Sequence, residues 1–272
     1  MGSADPYYLG YSAAETQRLQ RQAAELADDS AWLFDQLEPL GGARVLEIGC
    51  GPQGCLDVLS ERVGPSGSVL GVERSEEAVI LARGLAAERE LSNVEVICGD
   101  ARHTSLPRQS FDVVTARLVL VNIPEPEEVL AEAIALLRAG GRIAFHEASW
   151  PAQTIDPPLP AWDRLYEVLQ AYAASNGIDK FIGRRLPRLL REHGVRDVQV
   201  RPIVHACPIG HGRRMLAAQF VDNVAERMIA QGFITRPELN ELSGQLKRHL
   251  ENPGTFVIGP LYVQAWGHIT SM

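Results

Sequence analysis

Cysteine is scarce in this chain. Four occur in 272 residues, at positions 50, 55, 98 and 207, and none of them forms a Cys-x-x-Cys pair. A disulfide framework is therefore excluded. The ligand spacing of a structural zinc site is missing, so no metal is expected. Long apolar runs are also missing: nothing approaches the roughly 18–20 residues that cross a bilayer. Residues 1–10 carry neither the basic nor the apolar part of a secretory leader, so free thiols in the cytoplasm are expected. Positive charge is short as well. Lys and Arg total 26 against 34 Asp and Glu, for a net charge of −8. A surface that tracks phosphates would want the opposite sign, so nucleic-acid binding is disfavoured. Repeats and low-complexity tracts are absent. At 46% hydrophobic and 22% charged residues the composition is that of a globular domain, which excludes disordered, collagen-like and coiled-coil chains.

What is present is an alternation. Residues 12–38 read as helix, with Ser12 and Glu15 forming a capping box and a second helix beginning near Asp29 or Ser30. From residue 43 short apolar runs take over, at 43–48, 68–72, 94–98, 111–115 and 142–147. Helical segments separate most of them, with Ser75 capping the one over 76–90. Strand and helix alternating through short turns predict an α/β fold with a parallel sheet. After Trp150 the pattern loosens. Four prolines in 151–160 exclude a regular helix there. Helices are expected over 161–175, 183–193 and most of 211–251, and strands over 195–204 and 255–269, with a bulge or edge at Pro260.

Gly49, Gly51 and Gly54 form a Gly-x-Gly-x-x-Gly loop between the first strand and its helix. Alone this spacing fits any nucleoside cofactor. Glu73 follows about 20 residues later, where a carboxylate accepts hydrogen bonds from ribose hydroxyls. Glu47 stands two residues before the first glycine. A carboxylate there repels a pyrophosphate but tolerates a cationic donor without phosphate. Its alternative role is to buttress the loop by accepting backbone N–H bonds.

VLEIGCGPQG at 45–54, GVERS at 71–75, CGDARHTSLP at 98–107, FDVVTARLVLVNIP at 111–124 and LLRAGGRIAFHE at 136–147 occur in that order. Together they resemble the successive motifs of class I S-adenosylmethionine-dependent methyltransferases. YYLGYSAAETQRLQRQA and VQAWGH near the two ends resemble a bacterial small-molecule subgroup, type 11. The resemblance implies a Rossmann-like seven-stranded sheet with the last strand antiparallel, plus helical insertions that cap the substrate. On this reading residues 1–40 are an N-terminal helical lid and 41–150 the cofactor-binding core. Residues 151–272 complete the sheet, with cap insertions near 151–182 and 208–252. The resemblance also assigns roles. Gly49, Gly51 and Gly54 line the methionine portion near Glu47. Glu73 holds the ribose and Arg74 flanks the adenine. Asp100 and Ala101 contact the adenine, and Ala116 and Arg117 face the sulfonium. Tyr11 is expected over the cofactor. Relatives often carry a histidine after strand four, where this chain has Val121-Asn122.

Methyl transfer from a sulfonium is an in-line displacement, so a base is needed only where the acceptor must lose a proton. His146 and Glu147, at the end of strand five, are the candidate bases, and strand alternation lets only one of them face the cleft. His205 and His211 are further candidates. The acceptor is expected to be a small molecule enclosed by Tyr8, Trp150, Leu165, Tyr166, Met215 and Phe220. The arginines at 184, 185, 188 and 191 form a basic cluster that a solvated helix face explains. An RNA or protein methyltransferase, a non-methylating relative that keeps the pocket, and a nicotinamide-dependent dehydrogenase remain as other readings. The chain is expected to act as a monomer or homodimer.

Overall fold

The computed structural model describes residues 13–150 and 154–270; Tyr8 and Tyr11 lie outside them. Two helices come first, α1 (Ala13–Glu25) and α2 (Ala27–Asp35). The alternating region follows as β1 (Arg44–Ile48), α3 (Leu56–Val63), β2 (Ser68–Glu73), α4 (Glu76–Glu88), β3 (Val94–Cys98), β4 (Phe111–Arg117), α5 (Pro126–Leu136) and β5 (Leu137–Ser149). The second half holds β6 (Thr154–Asp156), α6 (Pro160–Ser175), α7 (Ile182–Glu192), β7 (Arg196–Ile203), α8 (Leu216–Ala230), α9 (Arg236–Glu251), β8 (Phe256–Ile258) and β9 (Leu261–His268).

Seven strands form one sheet in the order β3-β2-β1-β4-β5-β9-β7. The neighbours from β3 to β5 are parallel, and β9 runs antiparallel to both β5 and β7. Central strands are apolar on both faces because both faces are covered. Val45, Val69, Val113 and Ala144 pack with α2, α3 and α4, whereas Leu46, Val114, Ile143 and Phe145 pack with α5 and α7. Ser75 caps α4 as its sequence position suggests, its hydroxyl accepting from Ala78 N at 3.2 Å.

Two features differ from the sequence reading, and a third follows it. Leu33, Phe34 and Leu37 place α2 and its C-terminal end in the core beneath the sheet, so among the described residues of the expected lid α1 faces the cavity described below and α2 does not. The stretch 255–269 is not one strand. It breaks at Gly259-Pro260, because proline cannot donate to a ladder, and β8 leaves the main sheet to pair with β6. The basic cluster on α7 is solvated, and Arg185 and Arg188 are paired with carboxylates. Arg185 meets Asp179 and Glu127, Arg188 meets Glu192 at 2.6 Å, and Arg184 stacks on Phe181.

Helices α6, α8 and α9 pack on one another as a cap, with Leu165, Trp162 and Val221 inside it. Trp162 is therefore core, and Trp32 meets Trp266 edge-on at 5.6 Å on the opposite face of the sheet. The cap is fastened to β8 by Arg214. This buried guanidinium donates to the carbonyls of Cys207, Leu250, Asn252 and Thr255. Arg214→Met is expected to cost about 3 kcal/mol, since it leaves several buried carbonyls without a donor. A denaturant titration checks this through a lowered midpoint at unchanged slope.

Candidate active site

A cavity of about 410 Å³ opens at the carboxyl ends of β1, β2 and β4. Chain order reverses there, between β1 and β4, which is where open α/β sheets bind ligands. Gly49, Gly51 and Gly54 line it, all with positive φ. A side chain on Gly51 would meet nothing within 4 Å, so its backbone is bare toward the cavity. At Gly54 a Cβ would lie 2.7 Å from both carboxylate oxygens of Glu47, so this glycine makes room for an acid.

Glu47 is 1% exposed, and both of its oxygens accept from Cys55 N at 2.9 Å. Cys55 is the N-cap residue of α3. The protein's own carboxylate thus occupies a helix N-terminus that would otherwise receive an anion. Burial pushes Glu47 up to about 7, against the pull of Arg117 and the Cys55 amide. The buttressing role and a cavity-lining position coincide in one side chain.

Glu73 lines the same cavity and accepts from Gly51 N at 3.0 Å and from Ser75 N at 2.9 Å, one amide on each oxygen. A carboxylate has about four acceptor positions, which leaves capacity for two hydroxyls. Arg74, Asp100 and Ala101 complete this end. Asp100 is held from behind by Arg102, through the backbone N–H at 2.9 Å and the guanidinium at 3.1 and 2.9 Å. These bonds keep its carboxyl below the ordinary aspartate value.

At the end of β4 the expected pair divides. Arg117 lines the cavity and ties α2 to the glycine loop, donating to Ser30 Oγ and to Gly54 O, each at 2.9 Å. Ala116 is packed in the core on the face away from the cavity. The chain then turns through Leu118, which has φ +57°, and a 3₁₀ turn at Leu120–Asn122. That turn exists because Glu147 lies beneath it. Glu147 is fully buried and accepts from Val119 N at 2.9 Å, Leu120 N at 2.8 Å and Val121 N at 3.1 Å. Burial raises it to about 8, opposed by those amides and by Lys180.

Neither candidate base lines the cavity. Glu147 is spent on three amides on one face of the sheet. His146 points to the other face, buried behind Tyr262, whose ring it meets edge-on at 5.4 Å. Burial, then the positive charges of Arg117, Arg213, His205 and Arg201, keep His146 neutral. His205 is engaged with Asp29 at 2.9 Å, and His211 accepts from Arg213 N; neither reaches the cavity.

The far end of the cavity is apolar and comes from distant parts of the chain. Trp150 and Phe220 form an edge-to-face pair with centroids 4.4 Å apart, as the sequence reading places them, and Tyr262 stands on the adjacent strand. Met215 does not line it; Leu216 does, because the 3₁₀ turn at Gly212–Met215 gives way to α8 between the two. Leu165 is core, and Tyr166 lies behind the Trp150–Phe220 pair, beside a separate void of about 20 Å³ that also touches Lys180. Glu15, Arg18, Leu19 and Gln22 roof the cavity from α1. Sequence reasoning missed these four together with Leu216, Pro260 and Tyr262. The nearest signal for the roof was the spacing of Glu15, Arg18 and Gln22 along one side of a helix. Arg18 pairs with Glu15 at 2.7 Å and donates to Gln22 at 2.8 Å.

Replacing Glu147 separates a structural from a chemical role. Glu147→Ala strips the partner from three buried N–H groups and is expected to cost about 2–5 kcal/mol, while Glu147→Gln recovers much of it. Thermal melts of both variants check this; unchanged stability in the alanine variant would contradict the structural role.

Comparison with known proteins places this geometry. The methyltransferase-domain family matches residues 40–194, more than half of the chain, and the chain belongs to that family. An uncharacterized 37.1 kDa protein in a transposon of Streptomyces fradiae is 36% identical over 172 residues, covering 63% of this chain and 48% of that protein. Aklanonic acid methyltransferase of Streptomyces sp. strain C5 is 38% identical over 128 residues, covering 47% of this chain and 58% of the relative. Demethylmenaquinone methyltransferase of Listeria monocytogenes is 33% identical over 131 residues, covering 48% and 53% respectively. The chain thus spans about half the length of the curated relatives it matches. The fold is that of the YcgJ protein of Bacillus subtilis, with TM-score 0.61 at 17% identity over 90% of this chain and all of the other. It is also that of Haemonchus contortus phosphoethanolamine N-methyltransferase 2, solved with S-adenosylhomocysteine, with TM-score 0.58 at 15% identity over 89% of this chain and 52% of that one.

Proposed function

We propose that this methyltransferase-domain chain moves a methyl group from S-adenosylmethionine to a small-molecule acceptor held under α1 and the helical cap. The observation that carries the reading is Glu47 seated on the N-terminal amide of α3 at the cavity wall. An anionic diphosphate has no free helix terminus to bind there, whereas a phosphate-free cation meets a carboxylate. This disfavours a nicotinamide dinucleotide.

The residues present fit such a donor. Glu73 has acceptor capacity for two ribose hydroxyls, with Arg74, Asp100 and Ala101 around the adenine and Gly51 offering bare backbone to the methionine portion. When bound, the cofactor supplies a methyl on a positively charged sulfur, an already activated electrophile. The chain's task is to align the acceptor with the S–CH₃ axis and keep water out. Arg117 and Val119 line the cavity, the latter on the turn that Glu147 holds. The roof from α1 and the pairing of Arg185 and Arg188 on α7 with carboxylates support a small acceptor over RNA or a protein. The four thiols, free and mostly buried, support a reducing cytoplasmic setting.

Two measurements test the reading. Glu73→Ala is expected to weaken S-adenosylhomocysteine binding by about 1–3 kcal/mol in calorimetry, through unpaired ribose hydroxyls. Unchanged affinity would remove the ribose role. Glu47, raised to about 7, must be ionised to favour a cation. Affinity for S-adenosylmethionine is therefore expected to rise with pH through about 7 and level off above it, with a proton released on binding. Glu47→Gln should flatten that profile.

A further inference from the structure

Among the described residues, the apolar end of the cavity has an aromatic wall and one phenol, Tyr262, near two guanidinium groups. Trp150, Phe220 and Tyr262 supply three rings. Ala148, which lines the cavity, is the cross-strand partner of Tyr262, so no bulky side chain stands in that register position. The Arg213 guanidinium lies 5.5 Å from the Tyr262 ring centroid, and Arg18 lies 5.2 Å from that of Phe220. Both arginines are tied to carboxylates, Arg213 to Glu25 and Arg18 to Glu15. Even so, two titratable groups report the same sign of potential. Burial raises Tyr262, and the charges of Arg213 and Arg18 oppose it while Cys207 adds to it. After burial, Arg117, Arg213 and Arg201 lower His146, directly behind Tyr262. Tyr262 lines the chamber, and its raised phenol keeps a proton to donate.

We propose that this chamber selects a flat aromatic acceptor bearing an acidic oxygen, a carboxylate, phenolate or enolate, with its ring against Trp150 and Phe220 and that oxygen receiving the Tyr262 hydroxyl proton in a hydrogen bond. The proposal rests on the methyl-transfer reading. Offset or edge-on ring contacts supply apolar burial with defined geometry, and a charge-assisted hydrogen bond sets which atom of the ring system faces the sulfonium. The Trp150–Phe220 pair also limits acceptor length. Behind it, among the described residues, lies a void of about 20 Å³ next to Tyr166, Gln170 and Lys180, room for a water and not for a ring.

The test uses the full chain saturated with S-adenosylhomocysteine. Binding of 3-hydroxy-2-naphthoate, its saturated decalin carboxylate counterpart and unsubstituted naphthalene is measured by calorimetry. The naphthoate is expected to bind at least tenfold more tightly than either control. Tyr262→Phe is expected to erase about tenfold of the preference for naphthoate over naphthalene; a merely structural role would shift both ligands alike. Phe220→Ala is expected to join the void to the chamber and admit a three-ring anthraquinone carboxylate that the native chain refuses. Equal binding of the aromatic and saturated acids, or an unchanged naphthoate-to-naphthalene ratio in Tyr262→Phe, would overturn the proposal while S-adenosylhomocysteine still binds. Failure of S-adenosylhomocysteine itself to bind would instead remove the methyl-transfer reading. Melting curves identify any variant that does not fold, and Tyr262→Trp, which keeps a ring and an N–H donor, then takes the place of the phenylalanine variant.

Discussion

The site depends on one short-range contact, the carboxylate of Glu47 on the first free amide of α3. It fixes the path of the glycine loop and demands a glycine at position 54. It also decides the charge of what can sit above the sheet, because the positive end of the helix is already satisfied from within the protein. A loop with the same glycine spacing but an empty helix terminus would be a phosphate site. The difference between the two chemistries is one side chain placed two residues ahead of the first glycine.

The other acids near the cavity work in the same manner. Glu73 holds the glycine loop and the start of α4 through one amide each, and Glu147 holds three successive amides of the turn after β4. Buried carboxylates here shape backbone first, and the cavity wall is what they shape. The acceptor half has no comparable motif. It is gathered from α1, the end of β5, the start of α8 and the start of β9, segments separated by more than two hundred residues along the chain.

That contrast explains how much was legible in the sequence. The alternation of apolar runs and turns foretells the sheet, and the glycine loop with Glu47, Glu73 and Asp100 foretells one end of the cavity, because each of those residues acts within its own strand–turn–helix unit. The acceptor half was legible only in part. Trp150 and Phe220 were named, but Met215 stood for its neighbour Leu216, and Tyr262 was passed over, since which side of a late strand meets a cavity is set by packing between remote elements. His146 and Glu147 had the right position at the sheet edge and the wrong surroundings. Alternation put them on opposite faces, yet it could not reveal that Tyr262 would screen one and a turn would consume the other.

The break at Gly259-Pro260 has a wider consequence. Because β8 turns away to join β6, the segment leading into α6 and the segment leaving α9 are bonded to each other. The chain between them leaves the sheet as α6, rejoins it through α7 and β7, and leaves again as α8 and α9. Lengthening, shortening or reshaping either helical excursion leaves the register of β9 against β5 and β7 untouched. A lineage could thus retailor the lining beneath the excursion, and with it the molecules admitted, while the ancestral sheet and its donor cradle stay as they are.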